Sequence, residues 1–286
     1  MRCLPRVILF FLYHGGRLCL SHGLNRVGCY HVKLEIMSEL DVNSYSDLQK
    51  FSEFRRKELG KLYKPYLDVT DRYGQLICDL SSLLGKLPPS DVQEKVIRDL
   101  MADVFDNLYE SRNIILTGQL NVAYPLIRRA YESLSLLVLC ALDVQTAQKW
   151  QDGKQISNNE VRKGLAKHPF GEKEENLREL YKFFSEASHP NRGLIPERYL
   201  GEGNEFVFGA IGMPDLVMVT DYCLKHLDLW FWFAAVISTL LAPKTDQDST
   251  TYRSKYLAIA KDAQWCCDWL RIEFNRLLIE TQNNIG

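Results

Sequence analysis

Residues 120–142 read LNVAYPLIRRAYESLSLLVLCAL, and this stretch decides the fold. Its second half, residues 134–142, is apolar on every side of a helix, which is typical of a helix buried in the middle of a bundle. Pro125 lies in the first turns, where a proline is tolerated or bends the helix. A second strongly apolar run, LWFWFAAVISTLL at 229–241, lies within a predicted helix over 214–242. We therefore expect two central helices.

Amphipathic helices are predicted around these two. Apolar residues recur every three or four positions through most of the chain after residue 44. Two capping boxes mark helix starts, Ser90 with Gln93 and Ser157 with Glu160. The period predicts helices over 46–64, 66–84, 90 to a stop or bend at Gly118, 120–142, 157–168, 172–188, 214–242 and 249–282.

One long interruption separates the predicted helices. Residues 189–213 are rich in glycine and proline, and we expect an irregular loop with a short hairpin around 206–208 as the alternative. Loops of this length inside compact domains are often lids or binding loops. The sequence therefore predicts an all-α fold, a multi-helix bundle with two central apolar helices and one long irregular loop.

The overall charge disfavours one class of partner. The formal net charge is -1 and the pI is near 6.6, so no general binding of nucleic acid is expected. The apolar run at 229–241 lies between Asp228 and Lys244 and is too short to predict a membrane span.

The cysteines indicate a reducing compartment. No two of the eight have CxxC spacing, and neighbouring Cys266 and Cys267 point in different directions on a helix. We therefore predict a cytoplasmic protein with free thiols.

Residues 1–36 differ from the rest in composition. They hold five basic residues against the single acid Glu35, whereas the remainder carries about five net negative charges. We interpret 1–36 as a non-native or disordered leader, with a signal peptide as the alternative, and 37–286 as a single helical-bundle domain.

A polar pair stands on the first central helix. Arg128 and Glu132 are four residues apart, so they face the same way and are expected to form an ion pair. One interpretation is an ordinary structural pair at the wetter end of the helix. The other is part of a ligand site, because such charges are costly to bury without a role.

A second polar group closes the helix predicted over 172–188. His189 follows that helix end, where the helix dipole favours the imidazolium, so it acts either as a cap or as a proton donor and ligand anchor. Tyr181 and Ser185 lie two turns and one turn earlier. No strand-turn-helix elbow surrounds Ser185, which disfavours a hydrolase triad.

Metal and cofactor sites are not predicted. A di-iron bundle would require paired Glu-x-x-His motifs, but the sequence has a single one, Glu186 to His189, and no CxxC or HExxH pattern suggests zinc. Gly201-Glu-Gly203 lacks the following Gly-Lys of a phosphate loop.

The same residues carry a resemblance. Arg128 with Glu132 followed by Tyr181…Phe184-Ser185…His189-Pro190 resembles a family of uncharacterised all-helical bacterial proteins with an R-x-x-x-E helix and a Y-x-x-L-S-x-x-x-H-P helix end. Phe184 replaces the leucine of that pattern. The match covers about 72 residues of the 286 and implies a helical organisation and a polar site, without an activity.

That family is in turn distantly similar to HEPN helical bundles, which include RNases with an Arg-x(4–6)-His motif. Arg162 and His168 have this spacing in the chain. Arg17 with His22 and Arg26 with His31 have it as well, which shows how easily the pattern arises by chance. The residue beside Arg162 departs from the polar residue usual in the motif.

Two hypotheses from different classes follow. The first is a ligand- or partner-binding and regulatory module in which five residues form a buried polar cluster beneath the loop, with arginine binding an anion, glutamate orienting it and histidine as pH-sensitive partner. The partner would be a small polar ligand or a protein. The second is a metal-independent HEPN-like RNase of a phage-defence or toxin system, with Arg162 and His168 as catalytic residues. A homodimer through 249–282 is the third option. The proposed ligand-binding residues are Arg128, Glu132, Tyr181, Ser185 and His189.

Overall fold

Nine helices make up nearly all of the chain that the structure describes. The computed structural model describes residues 44–167, 174–188, 199–200, 205–206, 215–245 and 249–283. Its helices are α1 Tyr45–Leu62, α2 Lys64–Leu84, α3 Val92–Ile115, α4 Leu120–Leu142, α5 Val144–Gln151, α6 Asn158–Lys167, α7 Glu174–Ser188, α8 Leu216–Leu240 and α9 Ser249–Asn283. This confirms the predicted all-α helical bundle.

Helices α4 and α8 occupy the centre, as their apolar composition predicted. Every residue of α4 from Tyr131 onward is at least partly buried. This helix contacts α3, α5, α6, α7 and α8, while α8 contacts α2, α3, α4 and α9. One continuous set of buried side chains runs through these helices.

Helix α8 also has the composition of a membrane-spanning segment. Within the described ranges it alone is long and apolar enough to cross a membrane, judged by length and composition. However, 61% of its most apolar window is buried inside the molecule. This burial is typical of the core helix of a bundle.

The connection between α2 and α3 depends on a buried ion pair. Arg98 donates through Nη1 to the carbonyl oxygens of Leu84 and Leu87, both at 2.8 Å, and pairs with Glu94 through Nη2. Glu94 accepts from the Ser90 backbone N–H at 3.1 Å and from its hydroxyl at 2.6 Å. The last carbonyl of α2 and that of Leu87 beyond it therefore find their donor on the next helix.

The first predicted capping box was wrong by one residue. The N-cap of α3 is Asp91, whose carboxylate accepts from the Glu94 backbone N–H at 2.8 Å. Gln93, the residue expected to complete the box, instead donates to the Cys140 carbonyl at 2.9 Å. Ser90 does bond a glutamate side chain, but that of Glu94, because the α3 start lies one residue later than predicted.

The loop between α4 and α6 contains a helix that the sequence analysis missed. Asp143 ends α4 and begins α5, accepting from the backbone N–H groups of Gln145 and Thr146. A single aspartate thus serves both helices, so no turn-like stretch of glycine or proline separates them.

The predicted loop 189–213 is described only in part. Strand β1, Tyr199–Leu200, pairs antiparallel with β2, Glu205–Phe206, and Tyr199 lies opposite Phe206. The predicted leader at 1–36 and the remainder of this loop lie outside the described residues.

A histidine in α8 joins three helices in the core. His226 is fully buried, with its Nδ1 2.7 Å from the Tyr66 hydroxyl of α2 and its Nε2 2.9 Å from the Leu108 carbonyl oxygen of α3. A carbonyl only accepts, so Nε2 carries the proton and Nδ1 accepts from Tyr66. Tyr222 stacks on the imidazole at a centroid distance of 5.6 Å.

Candidate functional site

Arg128 and Glu132 form the ion pair that their spacing predicted. Arg128 Nε lies 2.8 Å from Glu132 Oε1, and each side chain is about one quarter exposed. Burial lowers the pKa of Arg128, but the hydrogen bond and charge of Glu132 outweigh it and leave the pKa raised. The guanidinium therefore stays charged at any physiological pH.

Arg129, the next residue, belongs to a different contact. It binds Asp103 of α3 through Nε and Nη2, both at 3.2 Å. It faces away from Glu132 because neighbouring residues on a helix point in different directions. Of these two neighbouring arginines, only Arg128 pairs with Glu132.

Tyr181 of α7 lies directly against Arg128. The Arg128 Nη2 donates to the Tyr181 hydroxyl at 2.9 Å, and the guanidinium carbon lies 5.3 Å from the centre of the ring. Two residues separated by 53 positions are thus joined by a hydrogen bond and a cation–π contact. The pair connects α4 to α7.

Arg162 of α6 reaches the same ring. Its guanidinium carbon lies 4.7 Å from the Tyr181 ring centre, closer than that of Arg128. Asn158, one turn earlier on α6, lies 3.4 Å from the Tyr181 hydroxyl through Nδ2. The Arg–Tyr–Arg cluster, defined here as Arg128, Tyr181 and Arg162 with Glu132 and Asn158, therefore brings three helices together.

The position of α6 follows from contacts at both ends. The predicted capping box forms, with the Ser157 backbone N–H donating to Glu160 at 2.7 Å and the Glu160 N–H donating to Ser157 Oγ at 3.2 Å. Lys149 of α5 adds a hydrogen bond at 2.8 Å, and these partners, with Lys149 the largest effect, lower the pKa of Glu160 to about 2. Near the other end, Gly164 lies so close to Leu139 of α4 that an added Cβ would be 2.8 Å from Leu139 Cδ1.

Arg162 has donors without partners. Its Nε and Nη1 atoms are buried, and no acceptor for either occurs among the residues that the structure describes. Tyr131 of α4 is a neighbour: burial raises the pKa of its hydroxyl to about 12, while a hydrogen bond to Ser135 and the charge of Arg162 oppose that rise. Unsatisfied buried donors on a charged group are costly unless something else binds them.

Ser185 and the two histidines of the predicted sites are not among the residues that the structure places in the cluster. Ser185 lies one turn after Tyr181 and is partly buried, and no hydrogen bond connects it to the cluster within the described part of the chain. His189 and His168 lie outside the described residues. The structure thus unites three of the five predicted ligand-binding residues with the arginine of the alternative RNase site.

Sequence reasoning did not foresee this union. Arg162 was assigned to a rival site, and Asn158 was not singled out at all. The pairing of Arg128 with Glu132 can be predicted from local spacing, whereas the meeting of α6 with α7 depends on how both helices pack on α4. A stacked tyrosine leaves no spacing signal in the sequence.

No metal centre is formed by the described residues, since no group of three or more His, Cys, Asp or Glu side chains is placed to hold an ion there. The cysteines within the same ranges are free thiols, namely Cys78, Cys140, Cys223, Cys266 and Cys267.

Comparisons with known proteins assign no family. The chain matched no protein-family model, no curated protein and no solved structure.

Proposed function

We propose that this protein is a binding and regulatory module that recognises a small polar ligand at the Arg–Tyr–Arg cluster. The observation that supports this function is Arg162, whose buried Nε and Nη1 have no acceptor within the described chain. Arg128, by contrast, already has Glu132 and Tyr181 as partners. A ligand that accepts hydrogen bonds would satisfy Arg162 at the junction of α4, α6 and α7.

The cluster would report ligand binding to the rest of the molecule through α7. The sequence after α7 leads into the glycine-rich stretch 189–213, and Tyr181 is the described side chain of α7 that bonds both α4 and α6. Fixing Tyr181 would fix α7, from which the chain continues into that stretch. Ser185 and His189 are proposed to complete the site from the same segment.

The first test is a binding panel with a matched control variant. Wild-type protein, Arg162→Gln and Arg253→Gln are titrated with small oxyanions, neutral amides and sugars, and amines, and thermal melting is followed. Arg253 is an exposed arginine on α9, so its change removes the same charge at a distance. We expect one class to raise the Tm of wild type and Arg253→Gln by a few degrees, with the rise lost in Arg162→Gln. If no compound of any class depends on Arg162, the proposed function is wrong.

The alternative function is a metal-independent HEPN-like RNase. The feature that favours it is again Arg162, because a guanidinium with free donors suits an RNA phosphate. Purified protein is incubated with total RNA beside His168→Ala. If the wild type cleaves RNA and the variant does not, the protein is a nuclease and the binding-module hypothesis is wrong. If the RNA stays intact with both proteins, the nuclease hypothesis is wrong.

We also propose that the protein acts in the cytoplasm and that a second copy pairs through α9. The free thiols of the described cysteines fit a reducing compartment. Three large apolar residues of α9 are more than half exposed at seven-residue intervals: Trp265 at 60%, Ile272 at 69% and Ile279 at 58%. A seven-residue apolar repeat on one face is typical of helices that pair.

A further inference from the structure

The open hydrogen-bonding positions of the cluster indicate which chemistry a ligand would need. The Tyr181 oxygen accepts from Arg128 Nη2 at 2.9 Å and from Asn158 Nδ2 at 3.4 Å. Its own proton has no acceptor among the residues that the structure describes. A phenol whose oxygen already accepts two hydrogen bonds can take part in a further one only as the donor.

Arg162 adds donors of the same kind. Its Nε and Nη1 are both buried and have no acceptor within the described ranges. A guanidinium has five N–H donors and no acceptor. The open positions on Arg162 and on the Tyr181 hydroxyl are therefore all donors, which a ligand that accepts hydrogen bonds would satisfy.

The charges of the cluster lead to the same conclusion. Arg128 and Arg162 bring two positive charges to one ring, at 5.3 and 4.7 Å from its centre. Glu132 supplies one negative charge, and its Oε1 is held by Arg128 Nε at 2.8 Å. Counted over the cluster residues alone, all of them described, one positive charge is left in a partly buried place, where it is weakly screened by water.

We infer that the ligand is an oxyanion, a carboxylate or a phosphate group, that accepts hydrogen bonds from Arg162 and from the Tyr181 hydroxyl. This rests on the proposed function, since it names the chemistry of the ligand for the same cluster. Oxyanions accept hydrogen bonds from guanidinium groups, and hydrogen bonds to charged groups are stronger than neutral ones. Such a ligand neutralises the remaining charge and accepts from an open Arg162 donor and from the Tyr181 hydroxyl.

The experiment separates the hydroxyl from the ring. Tyr181→Phe keeps an aromatic ring beside both guanidinium groups and removes only the phenol proton. Arg162→Lys keeps the charge and removes the planar set of donors, and Arg253→Gln is the distant control. Inorganic phosphate and acetate are the probes, with acetamide as the neutral analogue of acetate and sodium chloride at matched ionic strength. Affinity is measured by calorimetric titration, and circular dichroism shows that each variant is folded.

We expect phosphate or acetate to bind wild type and Arg253→Gln more tightly than chloride, with the tighter of the two identifying the class. Tyr181→Phe should weaken binding roughly ten-fold or more, as for one lost hydrogen bond to a charged group, and Arg162→Lys should weaken it similarly. Acetamide binding as tightly as acetate, affinity unchanged in Tyr181→Phe, or phosphate and acetate no better than chloride would each overturn the inference.

The outcomes also separate this inference from the proposed function. If a neutral or cationic compound binds in an Arg162-dependent way and the oxyanions do not, the binding module stands and the oxyanion inference is wrong. If no compound depends on Arg162, both are wrong.

Discussion

His226 is the residue whose surroundings have the clearest effect on stability. It is enclosed by Tyr66, Tyr222 and Trp230, and its imidazole is neutral. Burial lowers its pKa from 6.5 to about 3, and the nearby charge of Arg112 acts in the same direction, while the hydrogen bond to Leu108 opposes them. The folded protein therefore binds a proton at this site less readily than the unfolded chain does.

This shift predicts a pH dependence of folding. Because the folded pKa lies below the unfolded value, the contribution of His226 is complete above about pH 6.5 and is lost as the pH falls towards 3. The free energy of unfolding should fall by about 1.4 kcal/mol per pH unit from this residue across that window. Urea denaturation of wild type and His226→Gln between pH 6.5 and 4.5 measures it.

The comparison with His226→Gln isolates the histidine from other groups. Carboxylates with lowered pKa values, such as Asp143 and Glu160, destabilise both proteins alike as the pH falls. The variant is expected to start less stable and to lose stability less steeply. Equal slopes in the two proteins would show that His226 does not titrate in the unfolding transition.

Residue by residue, the sequence was informative only where the relevant contact is local. Arg128 and Glu132 are four positions apart, so their pairing follows from helix geometry. Arg162 meets Tyr181 across 19 positions and two helices, and its orientation depends on the packing of Gly164 against Leu139. His226 was not singled out, because a lone polar residue in an apolar helix gives no sign of its partners on α2 and α3.

At the scale of the helices, the ion pair at the junction of α2 with α3 is expected to contribute measurably to the free energy of unfolding. Arg98 is 16% exposed and Glu94 4%, and the arginine also binds the carbonyl of Leu84 at the end of α2 and that of Leu87 in the connection. Arg98→Met removes one partner of a buried ion pair and leaves the buried Glu94 carboxylate without the charge of the arginine. We expect a loss of about 3 kcal/mol in the free energy of unfolding by urea.

The matching control is Arg253→Met on α9, an exposed arginine whose replacement should change stability by less than about 0.5 kcal/mol. The double variant Arg98→Met with Glu94→Met tests coupling, because it removes the uncompensated charge. It should be less destabilised than the sum of the two single changes. Additive losses would contradict a coupled pair.

Element boundaries were mostly predictable, and the exceptions have physical reasons. Helix α9 was expected over 249–282 and spans Ser249–Asn283. Helix α5 was missed because eight residues give too short a periodic pattern, and Asp143 ends one helix while starting the next. The shifted start of α3 reflects two adjacent capping residues, Ser90 and Asp91, of which the structure uses the second as the N-cap.

At the scale of the whole molecule, the exposed face of α9 predicts association. Ile272→Glu places a charge in the middle of the apolar row, and sizing chromatography with light scattering gives the mass. We expect wild type at twice 33.1 kDa and the variant at 33.1 kDa. Arg253→Gln serves as the control and should keep the larger mass. A wild-type mass of one chain would exclude pairing through this face.

The architecture as a whole was the most predictable feature, since two apolar helices can only be covered by other helices in a chain with this period. The assembly of α6 and α7 on α4 was not. Their amphipathic faces are compatible with several packings, and the cluster at their junction exists in only one of them.

The hydrogen bonds that His226 makes to α2 and α3 also form in a set order during protein synthesis. The Leu108 carbonyl precedes His226 by 118 residues, so it leaves the ribosome well before its partner exists. At about 5–20 residues per second, that interval lasts roughly 6–24 s. Throughout this interval, the nascent α2 and α3 lack the imidazole that joins them. Their apolar faces also lack α8, the helix that carries Trp230. The surfaces of α2 and α3 that pack on α8 therefore stay uncovered by it until α8 has emerged.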